Sequence, residues 1–323
     1  MAGEFGDSVR RALRLRGLSI RGAARALSYD HAYLSRVLGG KQDPSPQLAQ
    51  ALDIFLRADG AIVAHAASVT EDAGDRVRHA VSHPTRLDGR SVSAFADVLA
   101  TQRRLDDVLG PSPLIPAIQA QAETARSLLR DARGPHRDAL TDVVAEWVQF
   151  EGWLHASARV DLPAVLLLNE ALELADDAES PHLTAQALNF RGYLARQQGR
   201  PRSVIRWFLA AYNTPGAHPA QRMGDAAQAA QGYAEIGRRD DALRLLDEAA
   251  SLSDAAADQP PGTAYWLTPT FQRLNLGLAH LSLNAHSDAA DHLRAGLAGL
   301  PADQQSAAWS VEYRAALDVA EAA

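Results

Sequence analysis

The chain contains no cysteine and only one lysine among its 323 residues. The absence of cysteine excludes disulfide scaffolds and all thiolate-based zinc or redox sites. The longest apolar runs, such as 164–168, are far shorter than the roughly 20 residues that cross a bilayer. Residues 1–10 are also too polar for the core of a secretory signal. We therefore expect a soluble cytoplasmic protein without membrane contact.

Strand-favouring stretches are scarce, whereas helix formers dominate. The chain has 64 alanines and 31 arginines, and its glycines and prolines fall mostly between helical stretches. The pattern predicts an all-α fold in two domains, since a domain takes about 100–200 residues. The first domain is expected at 1–70, a linker at 71–90 and a longer domain at 91–323. The short helices predicted in the first domain are 5–16, 19–27, 31–38, 46–57 and 61–69.

Charge is distributed unevenly along the chain. Residues 8–41 carry eight basic side chains and one acidic side chain, whereas the whole chain has a net charge of −7. The remainder is therefore strongly acidic. A basic module on an acidic body is typical of nucleic-acid binding. The alternative is a solvated helix face that happens to be rich in arginine.

Residues 19–38 have the spacing of a helix-turn-helix. Ser19 and Asp30 are good N-caps for two successive short helices. Leu34 and Val37, three residues apart, are expected to face the core from the second helix. This helix, 31–38, would then turn its other side toward a DNA major groove.

The stretches 19–27 and 33–41, followed by Pro44 and Ser45, resemble the Cro/repressor (XRE-type) helix-turn-helix regulators. The resemblance covers about residues 5–60, with Ser28 in the turn where the family often has glycine. It implies that the second motif helix reads bases and that its surroundings hold phosphates. The implied base-reading residues are His31, Ala32, Ser35 and Arg36. The implied phosphate contacts are Ile20, Arg21, Tyr33 and Lys41.

A repeated pattern occupies the second half of the chain. Small or branched anchor residues recur in pairs twelve positions apart, at 152 and 164, 192 and 204, 230 and 242, and 277 and 289. Small side chains at these positions allow paired helices to approach closely, with Phe208, Leu246 or Leu293 filling the space between pairs. The pattern resembles the tetratricopeptide repeat and predicts an α-solenoid, with a capping helix at 304–320.

The first helices of such repeats line a concave surface. The residues expected to share that surface are Glu146, Gln149, Trp153, Gln186, Asn189, Tyr193 and Arg196. An Asn amide can pair with a peptide backbone and Arg196 can bind a carboxylate, which favours a peptide or carboxylated metabolite as effector. Alternatively, Trp153 and Tyr193 are packing residues and the others form an ordinary solvated face.

Catalytic motifs are absent from the sequence. There is no HExxH, no G-x-S-x-G and no phosphate-binding G-x-x-x-x-G-K-[ST]. We expect no enzyme activity, no cofactor and no metal site, including at the histidines 280, 286 and 292. The acidic pairs 106–107 and 176–177 are expected to be solvated at helix ends or surfaces.

The arrangement of the two domains resembles that of actinobacterial regulators that join this DNA-binding module to a repeat domain. The segments that contribute to the resemblance are 105–107, 146–150 and 152–153. The resemblance implies a nucleoid-associated transcription regulator that binds DNA. Two-fold pairing on an inverted-repeat operator would double the few base contacts of one small module, so we expect a homodimer. The repeat domain would sense an effector or mediate dimerisation. The alternative is a scaffold that recruits a protein or peptide partner, with DNA binding secondary.

Overall fold

The computed structural model divides the chain into two compact units, Met1–His83 and Pro84–Ala323. All the regular elements in the described part of the chain are helical, as predicted. The residues that the structure describes are 2–27, 29–39, 44–58, 60–62, 75–257, 260, 262–302 and 304–323.

The N-terminal unit begins with four short helices. They are α1 (Ala2–Leu15), α2 (Ile20–Ala26), α3 (His31–Leu38) and α4 (Pro46–Phe55). The Ser19 hydroxyl caps α2 by accepting a hydrogen bond from the Gly22 N–H at 3.0 Å. The Asp30 carboxylate caps α3 through the Tyr33 N–H at 2.7 Å, and Ser45 caps α4 in the same way. These caps set where each helix starts, which confirms the helix-turn-helix read from the sequence.

The core of this unit fixes α3 against α1. Leu34 and Val37 are buried, as predicted. A Cβ atom on Gly6 of α1 would overlap the carbonyl of Leu38, so glycine permits the close crossing of the two helices. The Arg10 guanidinium donates to the same carbonyl and thereby satisfies an acceptor at the end of α3.

The predicted linker is partly helical. Residues 75–82 form a helix, whereas the sequence pattern indicated an irregular segment over 71–90. Asp75 and Arg78 support it with an ion pair of 2.7 Å across one turn, and it ends before Pro84. Of the predicted helix at 61–69, residues 61–62 are helical and 63–69 lie outside the described residues, as do 71–74.

The C-terminal unit is an α-solenoid of tetratricopeptide-like helix pairs. The helices are α5 (Gly89–Leu109), α6 (Pro111–Asp131), α7 (Arg137–Ser157), α8 (Asp161–Asp177), α9 (Pro181–Gln197), α10 (Pro201–Tyr212), α11 (Pro219–Glu235), α12 (Arg239–Ser251), α13 (Pro269–Ser282), α14 (His286–Ala298) and α15 (Val311–Ala322). Each of α7, α9, α11 and α13 packs against the helix that follows it, and α11 also packs against α13 of the next pair.

The predicted anchors lie where paired helices cross. In three pairs the first anchor is a glycine whose added Cβ would overlap the side chain sixteen residues later. These contacts join Gly152 to Leu168, Gly192 to Phe208, and Gly277 to Leu293. The small residue therefore lets the paired helices approach closely, as predicted. In these contacts the large residue fills space within the pair, whereas the sequence pattern placed it between pairs.

A similar turn joins the two helices in each of the four pairs that the anchors define. The middle residue has a left-handed conformation, with φ between 58° and 63° at Arg159, Gly199 and Asn284, and 76° at Gly237. Each of these residues lies seven positions after the first anchor. Gly and Asn adopt this conformation readily, whereas Arg159 does so at a steric cost.

Two irregular segments complete the C-terminal unit. Between α12 and α13 lie two short 3₁₀ turns, Ala255–Ala257 and Gly262–Ala264, followed by Tyr265 and Trp266. The capping helix predicted at 304–320 begins only at Val311, because a 3₁₀ turn at Ala308–Ser310 precedes it. This helix, α15, packs against α13 and α14.

Candidate functional site

The helix α3 presents a polar side away from its core. His31, Ala32 and Ser35 are exposed, and Arg36 is partly exposed. These are the four predicted base-reading residues, and all four lie on α3 with at least part of each side chain exposed. Their contact with bases stays a prediction.

The predicted phosphate-binding residues lie around the start of the motif. Arg21 is exposed in the first turn of α2, and Ile20 is half-buried beside it. Tyr33 is half-buried and stacks on Tyr29, with ring centroids 6.0 Å apart, so only part of its side chain is accessible. Outside the described residues lie Lys41 and the turn residue Ser28.

Most cations of this module are exposed, as a surface that binds a polyanion requires. Arg10 and Arg36 are only partly exposed, and the Arg10 guanidinium donates to the end of α3. The exposed arginines are Arg11, Arg14, Arg16, Arg21 and Arg25.

The C-terminal unit contains a cavity whose walls are largely aromatic. It lies between the first helices of successive pairs, α5, the segment before α13 and α15. Its empty space, counted together with the open solvent at its mouth, amounts to about 840 Å³. The ring of Trp153 lies 4.9 Å from those of Phe190 and Tyr193, centroid to centroid, and Phe190 lies 5.9 Å from Trp266. We call this cavity the aromatic pocket. Its aromatic lining is Phe150, Trp153, Phe190, Tyr193, Tyr265, Trp266, Phe271, Trp309 and Tyr313.

Four of the seven residues predicted for the effector groove line the aromatic pocket. These four are Trp153, Asn189, Tyr193 and Arg196. Burial raises the pKa of Tyr193 to about 12, so its phenol keeps its proton at neutral pH. That these side chains contact an effector stays a prediction.

The other three predicted groove residues are not part of the pocket lining. The Gln149 side chain is buried and donates to the Leu183 carbonyl at 2.9 Å. Gln186 is equally buried, with 1% of its surface exposed. Glu146 lies 3.6 Å from the guanidinium of Arg103. Interior packing between neighbouring helices, rather than a shared solvated face, accounts for these three positions.

Asp106 and Asp107 are buried, so the expectation that this acidic pair is solvated is wrong. Only 6% and 5% of their surfaces are exposed. Asp106 Oδ2 accepts a hydrogen bond from the Trp153 indole N–H at 2.8 Å. Asp107 accepts from the Tyr265 hydroxyl at 2.7 Å and from the Trp309 indole at 3.0 Å. Neutral donors from distant segments thus replace water around both carboxylates.

Arg196 is already engaged by protein groups. Its guanidinium lies 2.6 Å from the Glu312 carboxylate and also donates to Gln228. Burial alone would lower the pKa of Arg196, but Glu312 holds it above its ordinary value. A carboxylated effector would therefore have to compete with Glu312 for this cation.

Asn189 connects the pocket to a buried acid behind it. Its amide donates to Asp225 Oδ1 at 2.6 Å, and Gln221 donates to the same carboxyl at 2.9–3.0 Å. Asp225 has no exposed surface, and this burial raises its pKa to about 8. The carboxyl is thus largely protonated at neutral pH.

Outside the pocket, His280 of α13 and His292 of α14 stack with ring centroids 5.2 Å apart. Burial lowers the pKa of His292. In the described part of the chain, no group of three or more His, Asp or Glu side chains is placed to hold a metal ion. None of the helices described here is long and apolar enough to cross a membrane.

Comparisons with known proteins match the N-terminal unit most specifically. No curated protein matches the chain. A crystal structure of Bacillus thuringiensis PlcR, determined in complex with the peptide PapR7 and DNA, aligns with 99% of this chain and 98% of its own, at 12% identity and a TM-score of 0.37. Residues 4–66 match the family described as a helix-turn-helix domain, so the chain carries such a domain at its N-terminal end.

Proposed function

We propose that the chain is a sequence-specific transcription regulator of the Cro/repressor-like type, in which α3 reads operator bases. The observation that carries this proposal is the set of exposed and partly exposed side chains on α3, a helix that begins at the Asp30 cap. This helix lies within the residues that match the helix-turn-helix domain family. The exposed arginines around it supply the sequence-independent attraction to phosphate. Arg36 is the side chain best suited to bind guanine through two hydrogen bonds.

We further propose that the protein binds an inverted-repeat operator as a homodimer. One module offers only four base-reading side chains, and two modules at half-sites about one helical turn apart double that number. The repeat unit then serves as the sensor, since an aromatic pocket with a few polar groups is the usual form of a small-molecule site. An effector that changes operator affinity must itself bind differently when DNA is present.

Selection of binding sites from a random duplex library tests the DNA-binding role. The selected duplex is titrated against the full chain by fluorescence anisotropy at several salt concentrations. Arg36→Ala should weaken binding to the selected site by about 1–3 kcal/mol and affect unrelated duplexes little. The matched control is Arg202→Ala, which removes an exposed arginine of the C-terminal unit.

Lys41→Ala should weaken binding to every duplex alike and lower the salt dependence by about one unit on a log–log scale. If the library yields no enriched sequence, α3 is not a base reader and the scaffold alternative is favoured. If the footprint on DNA covered a single half-site and light scattering showed the protein to be a monomer, a homodimer on an inverted repeat would be excluded.

A further inference from the structure

Two charge pairs beside the aromatic pocket are internally balanced. Arg196 is paired with Glu312 at 2.6 Å, and Arg103 is paired with Glu146 at 3.6 Å. These cations are thus committed to protein carboxylates, and breaking a buried pair leaves an uncompensated charge. An anionic ligand would have to compete with Glu312 or Glu146 for either arginine.

The two remaining acids of the lining have no cationic partner in the described part of the chain. Asp107 accepts from three neutral donors, because Gln304 adds a bond of 3.2 Å to those from Tyr265 and Trp309. Asp106 accepts one hydrogen bond, from Trp153 to Oδ2. Among the described residues, none donates a hydrogen bond to its other oxygen, Oδ1. The pocket therefore contains a buried carboxylate with unused acceptor capacity.

Aromatic rings line the same pocket as this carboxylate. The indole that fixes Asp106 belongs to Trp153, whose ring also contacts Phe190, and the Phe190 ring stacks on Trp266. Ring faces attract cations electrostatically, and the attraction increases where water is excluded. Burial raises the pKa of Asp106 to about 6, so at neutral pH the carboxylate is ionised but poorly solvated. A nearby positive charge would stabilise it.

We propose that the aromatic pocket binds an organic cation, namely a protonated amine on an apolar or aromatic body. The ammonium group donates to Asp106 Oδ1, and the body lies against the rings of Trp153, Phe190 and Trp266. The inference names the effector class for the sensor role proposed above and rests on that role. A free aromatic amine and the N-terminus of a peptide share this chemistry.

Calorimetry on the full chain without DNA tests the ligand class. The probes are 2-(2-naphthyl)ethylamine, the neutral 2-(2-naphthyl)ethanol and the anionic 2-naphthylacetate. The amine should bind at least about tenfold more tightly than either of the others, as an ion pair in a partly desolvated site requires. Equal or tighter binding of the acetate, or no binding of the amine, overturns the proposal.

Asp106→Asn keeps an acceptor for the Trp153 indole but removes the charge, so it should abolish the preference for the amine. Asp176→Asn, at an exposed acid of α8, should leave the preference intact. Melting temperature and circular dichroism verify that both variants fold. A preference that survives in the folded Asp106→Asn variant would also overturn the proposal.

Two further experiments distinguish a free amine from a peptide N-terminus as the ligand, and ligand binding from the sensor role. The tripeptide Phe-Gly-Gly and its N-acetylated form test a peptide N-terminus, and tighter binding of the free form supports that source. The selected operator is then titrated with and without the amine. If the amine binds but operator affinity is unchanged, the sensor role fails and the ligand class stands. If the amine does not bind while operator binding is intact, only the ligand class fails.

Discussion

The crossing of α9 and α10 provides a sharp test of the repeat packing. A Cβ atom at position 192 would lie 2.7 Å from ring carbons of Phe208, whereas non-bonded carbons prefer about 3.5–4.0 Å. Gly192→Ala must therefore separate the helices by nearly 1 Å or distort the ring. Overpacking of this kind costs about 1–3 kcal/mol, and the better helix propensity of alanine offsets up to about 1 kcal/mol. We expect a net loss of about 1–2 kcal/mol.

The chain supplies its own control for this substitution. In the next pair the corresponding residues are Ala230 and Leu246, both buried. The double variant Gly192→Ala with Phe208→Leu reproduces that combination, so the added methyl can occupy space that the ring vacates. Urea unfolding of the parent, both single variants and the double variant gives the coupling free energy. We expect 0.5 kcal/mol or more in favour of the double variant, within the range of contacting pairs of about 0.5–3 kcal/mol. Additive single effects would refute the reasoning.

Four further variants test three other features, each by urea unfolding. Because burial raises the pKa of Asp225 to about 8, the parent should lose up to about 1.4 kcal/mol of stability per pH unit as the pH rises from about 4 to 8. Asp225→Asn should remove this loss, and an unchanged pH profile would contradict the prediction. Asp107→Ala leaves buried donors without their acceptor, so it should cost about 2–4 kcal/mol and speed amide exchange in 311–322, and unaltered exchange would contradict it. Arg159→Gly should stabilise the protein by roughly 0.5–1 kcal/mol, because glycine relieves the strain of the left-handed conformation. Gly237→Ala should destabilise it by a similar amount through that strain alone, since no atom lies near the added Cβ. If both variants changed stability in the same direction, the inferred strain in these turns would be refuted.

The helix-turn-helix is predictable from the sequence because its determinants are local. Ser19 and Asp30 each accept a hydrogen bond from a residue three positions later, so the cap and its helix lie within one short window. The helix pairs are predictable for a related reason. Their anchors are twelve residues apart and their fillers sixteen, which keeps each crossing within a single repeat.

The polar contacts of the aromatic pocket cannot be predicted from short stretches of sequence in the same way. The donors to Asp106 and Asp107 are 47 to 202 residues away in the sequence. They are Trp153, Tyr265, Gln304 and Trp309. An acidic pair near a helix end has the same local pattern whether water or distant indoles surround it. Gln149 was misplaced for a related reason, since its partner is a backbone carbonyl of the next pair.

The bonds of Asp107 also determine how the C-terminal unit unfolds. An open array of repeats has two free ends, and its stability is close to a sum of repeat and nearest-neighbour contributions, so it can unravel from a terminus. Here Asp107, on the first helix of the array, is bonded to Trp309, just before the last helix. Neither end can detach without breaking this contact. We therefore expect residues 84–323 to unfold in one cooperative transition, with loss of the last helix destabilising the first.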